Sequence, residues 1–285
     1  MSPFNQNGTK EIADLLGERI FDFPKPIDLI KYFLSFVINE FQDQSFTVLD
    51  FFSGSATAAH AVMQLNAEDG GNRKFIMVQV PEVCDDTSEA YKAGYKNICE
   101  IGKERILRAG EKIKADIEEQ NAQLKLGEDP KQVPDIGFKV FRTADTNIRW
   151  THEALKDGQI HMDESMLTEK DKLDFMPGFK DIDVVYEVLL RQRDVPLSAK
   201  VERRNEIGRR TYLIADTYLV CLEESFTKDM LEKLAAVEPL PIKYILRDSA
   251  FEDNISLKDE TIRRLEALIA RNAGEQERTY TVEFI

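Results

Sequence analysis

The sequence predicts an α/β protein of two domains, and three stretches carry that prediction. Residues 46–65 read as a strand buried on both faces, a small-residue turn and an alanine-rich helix. Lys74–Val80 reads as a second buried strand. Beyond residue 180, strands alternate with helices, which predicts a smaller C-terminal α/β domain. The expected division is 1–143, a connecting segment at 144–180, and 181–285.

In chain order, residues 1–22 are mixed and polar, with a short helix expected at Thr9–Leu16. Phe23-Pro24-Lys25-Pro26 is extended, because proline disfavours helix at the residue before it. Ile27, Ile30, Phe33, Leu34, Val37 and Phe41 recur at helical spacing and predict a helix with an apolar face to bury. The strand Thr47–Phe52 and the helix Ala56–Leu65 follow. Gly70-Gly71 marks a turn before the strand Lys74–Val80, and Asp85–Ser88 can cap a further helical stretch.

Asn97–Gln123 reads as a long charged helix, with Ile98, Ile101, Arg105, Ile106 and Ala109 on one side. Leu124–Pro134 is a connector, Gly137–Thr143 a third strand, and 144–176 a helix plus loop without strong periodicity. Asp181–Gln192 is an amphipathic helix. A hairpin, Thr211–Ala215 and Tyr218–Leu222, turns around Asp216-Thr217. Thr227–Ala236 is a helix with a threonine cap, Ile242–Arg247 a strand, Ser256–Asn272 a helix capped at Ser256, and Thr279–Ile285 a final strand.

A chain of 285 residues with 32% charged and 42% hydrophobic residues has the composition of an ordinary globular protein. No apolar stretch approaches the ~20 residues a membrane helix needs, and the polar start does not read as a signal peptide. The three cysteines, Cys84, Cys99 and Cys221, are widely spaced and suggest neither a disulfide framework nor a zinc site, so reduced thiols in the cytoplasm are expected. A net charge of −14 opposes DNA phosphates. The best basic cluster is Lys200, Arg203, Arg204, Arg209 and Arg210, interrupted by Glu202 and Glu206. It reads either as a solvated hairpin face or as a phosphate contact.

The stretch around which chemistry can be argued is Asp50-Phe51-Phe52-Ser53-Gly54-Ser55-Ala56-Thr57. A strand, a tight turn and a helix start aim backbone N–H groups at one point, which suits a nucleotide-like or zwitterionic ligand. The dinucleotide pattern G-x-G-x-x-G fails, because Ala56 and Ala59 stand where its later glycines belong. A nicotinamide dinucleotide is therefore disfavoured. His60, His152 and His161 form no metal set, and His60 reads as packed or solvated rather than catalytic.

The same stretch resembles the S-adenosylmethionine motif of amino-DNA methyltransferases, of the D-x-F-x-G-S-G-T type, with Ala56 in place of the usual glycine. Phe23-Pro24-Lys25-Pro26 with the following helix resembles the segment before that motif in the circularly permuted β-class. Lys74-Phe75-Ile76-Met77-Val78-Gln79-Val80-Pro81-Glu82 resembles the second strand of that class with its terminal acid. The wording around these motifs is most similar to the modification subunit of type III restriction-modification systems, from about Gly8 to the C-terminus and most strongly over 8–110. The resemblance implies part of a Rossmann-like S-adenosylmethionine-dependent sheet and adenine-N6 methylation of DNA. The cofactor contacts it implies are Lys25, Asp50, Phe52, Ser53, Gly54, Ser55 and Glu82. The turn amides would meet the methionine end and Glu82 the ribose hydroxyls, since a carboxylate suits two vicinal donors. Asp50 would orient the loop or meet the ligand's ammonium, and Lys25 would pair with its carboxylate or remain a solvated surface lysine. The methyl of Ala56 would either crowd the ligand or only stiffen the turn.

The catalytic D-P-P-Y motif of that family, which holds and stacks the flipped adenine, has no counterpart: none of the ten prolines adjoins another, and Asp129-Pro130 is followed by Lys131-Gln132. In the β-class order that motif lies upstream, so no catalytic residue is expected in this chain. The resemblance thus implies a C-terminal part that is inactive alone, with DNA reached through an N-terminal half. The strand of Asp50 would then be left with an open edge. A second modification subunit and the restriction subunit are the implied partners. The rival reading is a non-enzymatic docking module for one of them.

Overall fold

The computed structural model describes residues 4–17, 19–41, 44–125, 127–149, 171, 174–273 and 279–285. They form a mixed α/β protein that divides into two compact units, Met1–Phe138 and Lys139–Ile285.

In the first unit, α1 (Phe4–Leu16) is followed by α2 (Ile27–Phe41), β1 (Thr47–Asp50), α3 (Thr57–Asp69), β2 (Lys74–Met77), the single turn α4 (Glu89–Lys92) and α5 (Ile98–Ala122). β1 and β2 are parallel, with Thr47 beside Lys74 and Asp50 beside Met77. α3 packs on β1, β2 and α5, and buries Ala59, Met63, Ile106, Ala109, Ile113 and Ile117 against Phe75 and Met77. α5 begins where the sequence expects it: Asn97 Oδ1 accepts from Glu100 N at 3.2 Å, and Glu100 Oε2 accepts from Lys96 N at 2.7 Å. This near-reciprocal pair satisfies one first-turn donor, Glu100 N, and the amide of Lys96 just before the cap.

The strands are shorter than Thr47–Phe52 and Lys74–Val80, and neither is buried on both faces. Val48, Asp50, Phe75 and Met77 face the helices, while Leu49 and Ile76 remain 58% and 53% exposed. On the apolar stripe of α2, Ile27 is buried and Ile30 and Leu34 half-buried, but Phe33 is exposed, as are Tyr32 and Phe36 beside the stripe, each of these three more than half. Gly137–Thr143 is extended but is no strand, because Ile136 and Phe138 pack into the α3–α5 core instead of pairing along an edge.

In the second unit, α6 (Asp181–Arg191) precedes β3 (Val201–Arg203), β4 (Thr211–Ile214), β5 (Tyr218–Cys221), α7 (Lys228–Ala235), β6 (Lys243–Leu246), α8 (Ile255–Ala273) and β7 (Thr281–Phe284). The sheet order is β3-β4-β5-β6-β7, antiparallel through β5 and parallel from β5 to β7. Side-chain period two divides this sheet between two cores. Leu213, Leu219, Cys221, Tyr244 and Leu246 meet α7 and α8. Tyr212, Ile214, Tyr218, Val220 and Ile245 meet α6. Ala215 and Asp216 turn the hairpin with φ of 50° and 53°. The cap of α8 is Asn254, whose Oδ1 accepts from Leu257 N at 3.0 Å, and not Ser256. The expected helix and loop at 144–176 lie mostly outside the described residues. The described ends of that stretch, Ile148 and Phe175, are bridged to one another and buried in the α6 core.

Candidate functional site

Two adjacent parallel strands end side by side at Asp50 and Met77, and the chain after each stays hydrogen-bonded to the other. Val78 N donates to Asp50 O at 2.8 Å and Ser53 N donates to Val78 O at 3.2 Å. Asp50, half-buried, accepts the Phe52 amide on Oδ1 at 3.3 Å, and Ala56 N closes the turn onto Ser53 O at 2.7 Å. Gly54 and Ala56 both take left-handed backbone, with φ of 52° and 61°. A Cβ built on Gly54 meets nothing within 4 Å, so the outer side of the turn is clear.

Ala56 faces the other way. It is 3% exposed, and its methyl lies in the core with α5, 3.5 Å from where a Cβ on Gly102 would stand. The left-handed conformation explains why glycine suits this position. Ala56 supplies no side-chain cap to the 13-residue α3, so the first-turn amides carry the positive end of the helix without an intrahelical acceptor.

The structure brings Asp50, Phe52, Ser53, Gly54 and Ser55 to the carboxyl end of β1, while Glu82 lies five residues past the end of β2. Phe52 is 77% exposed, its ring 5.2 Å from that of Phe51. Glu82 is exposed, and its carbonyl accepts from Ile98 N at 3.0 Å, which fixes it beside the start of α5. Lys25 stands apart, exposed on the segment between α1 and α2. That segment is seated against α1 at Gly8, where a Cβ would come within 2.3 Å of Pro24 O. Not every turn amide is free to meet a ligand, as the sequence reading supposes. Ser53 is bonded to Val78, and Gly54 donates to Gln79 Oε1 at 2.8 Å. The donors that remain are Ser55 and the first turn of α3.

Two residues that sequence reasoning passed over support the turn. Gln79 holds it from the segment after β2, and Arg105 holds it from α5: Nη1 donates to Thr57 Oγ1 at 2.6 Å and to Ser55 Oγ at 3.0 Å. The signal for Arg105 lay in the helical stripe, where an arginine occupies a position between Ile101 and Ala109 that must be buried. His60 is buried with Nδ1 unpartnered. Burial first, then the nearby Arg105 and Lys112 charges, lowers its pKa to about 3, so it is neutral and no ligand for an acid.

Much of the basic cluster of the second unit is paired with carboxylates. Lys200 pairs with Glu202, Arg204 with Glu206, and Arg210 with Asp181 at 2.7 Å and Asp171 at 2.8 Å. Arg203 Nε donates to the carbonyl of Arg209. These pairings favour the hairpin-face alternative for Lys200, Arg204 and Arg210. His152 and His161 lie outside the described residues. No helix among the described residues is long and apolar enough to cross a membrane.

No protein-family model matches the chain. Among known proteins it is 38% identical over 215 residues to the StyLTI Mod subunit, a type III restriction-modification enzyme of Salmonella typhimurium, a match covering 75% of this chain and 30% of that protein. It is 40% identical over 137 residues to the type III EcoPI Mod subunit of Escherichia phage P1, covering 48% of this chain and 19% of that protein. It is also 37% identical over 103 residues to the type II methyltransferase M.KpnI of Klebsiella pneumoniae, covering 36% of this chain and 24% of that protein. The chain thus spans less than a third of the length of these relatives.

Proposed function

We infer, from the premise that this chain is a relative of the modification subunits of type III restriction-modification enzymes, that it supplies the S-adenosylmethionine-binding part of a site-specific DNA adenine-N6 methyltransferase. The observation that carries this reading is the Asp50–Ser55 turn and the start of α3 at the end of a parallel strand pair, tied through Gly54 N to Gln79 on the segment that leads to Glu82. Such a junction outside the carboxyl ends of parallel strands is where nucleotide-like ligands lie in α/β proteins.

The residues fit the cofactor. Gly54 leaves the outer side of the turn clear, and Ala56 turns its methyl into the core. The amides of Ser55 and the first turn of α3 would receive the methionine carboxylate. Glu82 would accept from the ribose hydroxyls, and Asp50 would hold the loop through the Phe52 amide. Phe52 would offer an exposed ring beside the pocket, and Lys25 a cation from the segment before α2. When bound, the cofactor supplies an electrophilic methyl group on a sulfonium. This chain binds and orients that group; the groups that align the adenine amine are those of a D-P-P-Y motif, which the 285 residues do not contain.

On this reading the chain alone transfers no methyl, and DNA is held by a polypeptide carrying D-P-P-Y. The second unit is the proposed docking part for a second modification subunit or the restriction subunit. Calorimetric titration with S-adenosylmethionine and S-adenosylhomocysteine, together with transfer of labelled methyl to DNA, tests the proposal. Binding without transfer is expected. Transfer by this chain alone removes the division of labour. Absence of binding removes the cofactor reading and leaves the second one, a docking module, which the exposed apolar residues of α2 and β1–β2 favour.

A further inference from the structure

Arg105 has no exposed surface and, among the described residues, no carboxylate paired with it. Its Nη1 is shared by the hydroxyls of Ser55 and Thr57, while Nε and Nη2 have no hydrogen-bond partner among the described residues. Burial lowers the guanidinium pKa to about 10, with Glu11 the charge that opposes the shift, so the group is a cation at neutral pH. An ion buried without a bonded counter-ion is costly, and an apolar side chain of similar volume would usually serve stability as well or better. Something other than packing accounts for an arginine here.

Its two partners stand on either side of Ala56, the residue forced into left-handed backbone. Three residues before Arg105 on α5, Gly102 lets the helix press on the turn, since a Cβ there would come within 3.3 Å of Gly54 O. The guanidinium therefore pins both flanks of the strained residue and places a fixed positive charge behind the amides of Ser55 and α3. Gln79, on the segment after β2, holds the same turn by accepting from Gly54 N.

We propose that Arg105 is the positioning residue of the turn: it fixes the Ser55 and Thr57 flanks and biases the pocket toward the carboxylate of the ligand's amino-acid part. This rests on the cofactor reading above. It predicts a discrimination between ligands that a merely structural arginine would not produce. S-adenosylhomocysteine carries the carboxylate, and methylthioadenosine carries the same nucleoside without it.

The test is calorimetric titration of the full chain and its Arg105→Met and Arg105→Lys variants with both ligands, with circular dichroism to confirm folding. Arg105→Met is expected to lose about tenfold or more in affinity for S-adenosylhomocysteine, and less than about threefold for methylthioadenosine. Arg105→Lys, which keeps the charge but not the fork, is expected to fall between Met and Arg. Should Arg105→Met fail to fold, Arg105→Lys and hydrogen exchange of amides 53–58 carry the test, with faster exchange expected in the variant. Equal losses for both ligands, or no loss in a folded variant, overturn the inference while leaving the cofactor reading intact. Failure of the unaltered chain to bind either ligand defeats the cofactor reading itself, and this inference with it.

Discussion

Replacing Ala56 by glycine separates the two meanings of a methyl group at this turn. Ala56 sits at φ 61° and ψ 40°, a conformation that costs a non-glycine residue about 1–2 kcal/mol. Glycine would relieve that strain. Against this, the methyl is 3% exposed in the α3–α5 core, and removing it forfeits about 0.8 kcal/mol of burial. Glycine also gains freedom in the unfolded chain, worth about 0.4–1 kcal/mol. The terms oppose one another, and Ala56→Gly is expected to change stability by less than about 1 kcal/mol. Because the methyl points into the core, affinity for S-adenosylhomocysteine is expected to stay within about threefold. Urea unfolding at constant slope and calorimetric titration measure the two quantities. A gain of tenfold in affinity without a change in stability would place the methyl on the ligand side and refute the geometry. A stability change above about 2 kcal/mol in either direction would refute the balance of terms.

Gly54→Val is expected to weaken cofactor binding at least about tenfold, because a branched side chain at φ 52° strains the turn and fills its clear side; His60→Ala should cost stability far more than affinity, and equal affinity losses would misplace the pocket. Neutral buried His60 makes the fold acid-sensitive: the unfolded chain takes up a proton below about pH 6.5 while the native imidazole resists to about 3, so stability falls as pH falls through that window, by up to about 1.4 kcal/mol per pH unit. His60→Gln should flatten the stability slope between about pH 6.5 and 4.5, and an unchanged slope would show that another group carries it. The purified chain is expected to self-associate, or to gain stability from a polypeptide carrying D-P-P-Y; sedimentation showing a monomer at every concentration, with amides 47–52 protected from exchange, would contradict this.

The helices were largely legible because their signals are local. Asn97, Ser88 and Thr227 each cap where their side chains can reach a first-turn amide. β4 and β5 were legible for a similar reason, since each is a short apolar run set between turn residues. β3 was missed because Val201-Glu202-Arg203 carries charged side chains on an edge, where no core demands apolar residues. At the candidate site, the residues after β1 and past the end of β2 were readable as a motif. The supports were not, since Gln79 and Arg105 reach the turn from 25 and 50 residues away and their role is set by packing. The choice of Ser256 over Asn254 as a cap failed at a distance of two residues, where both side chains are competent.

The uncovered surfaces and the charge point to one division of labour. Parallel strands are usually covered on both faces, and an isolated pair is a marginal sheet. Here α3 and α5 cover one face, Leu49 and Ile76 are left outward on the other, and β1 has no strand on its free edge among the described residues. Such an edge and face lower their free energy by taking up further strands and an apolar layer. A second copy of this chain would bring another net charge of −14 to that contact, a repulsion that grows at low salt. A basic polypeptide meets no such penalty, and it would also provide the positive surface that DNA phosphates require and that the largely paired cluster around Arg210 does not. The salt dependence of association therefore distinguishes the two occupants: pairing with a basic companion weakens as salt is added, and pairing between two acidic copies strengthens.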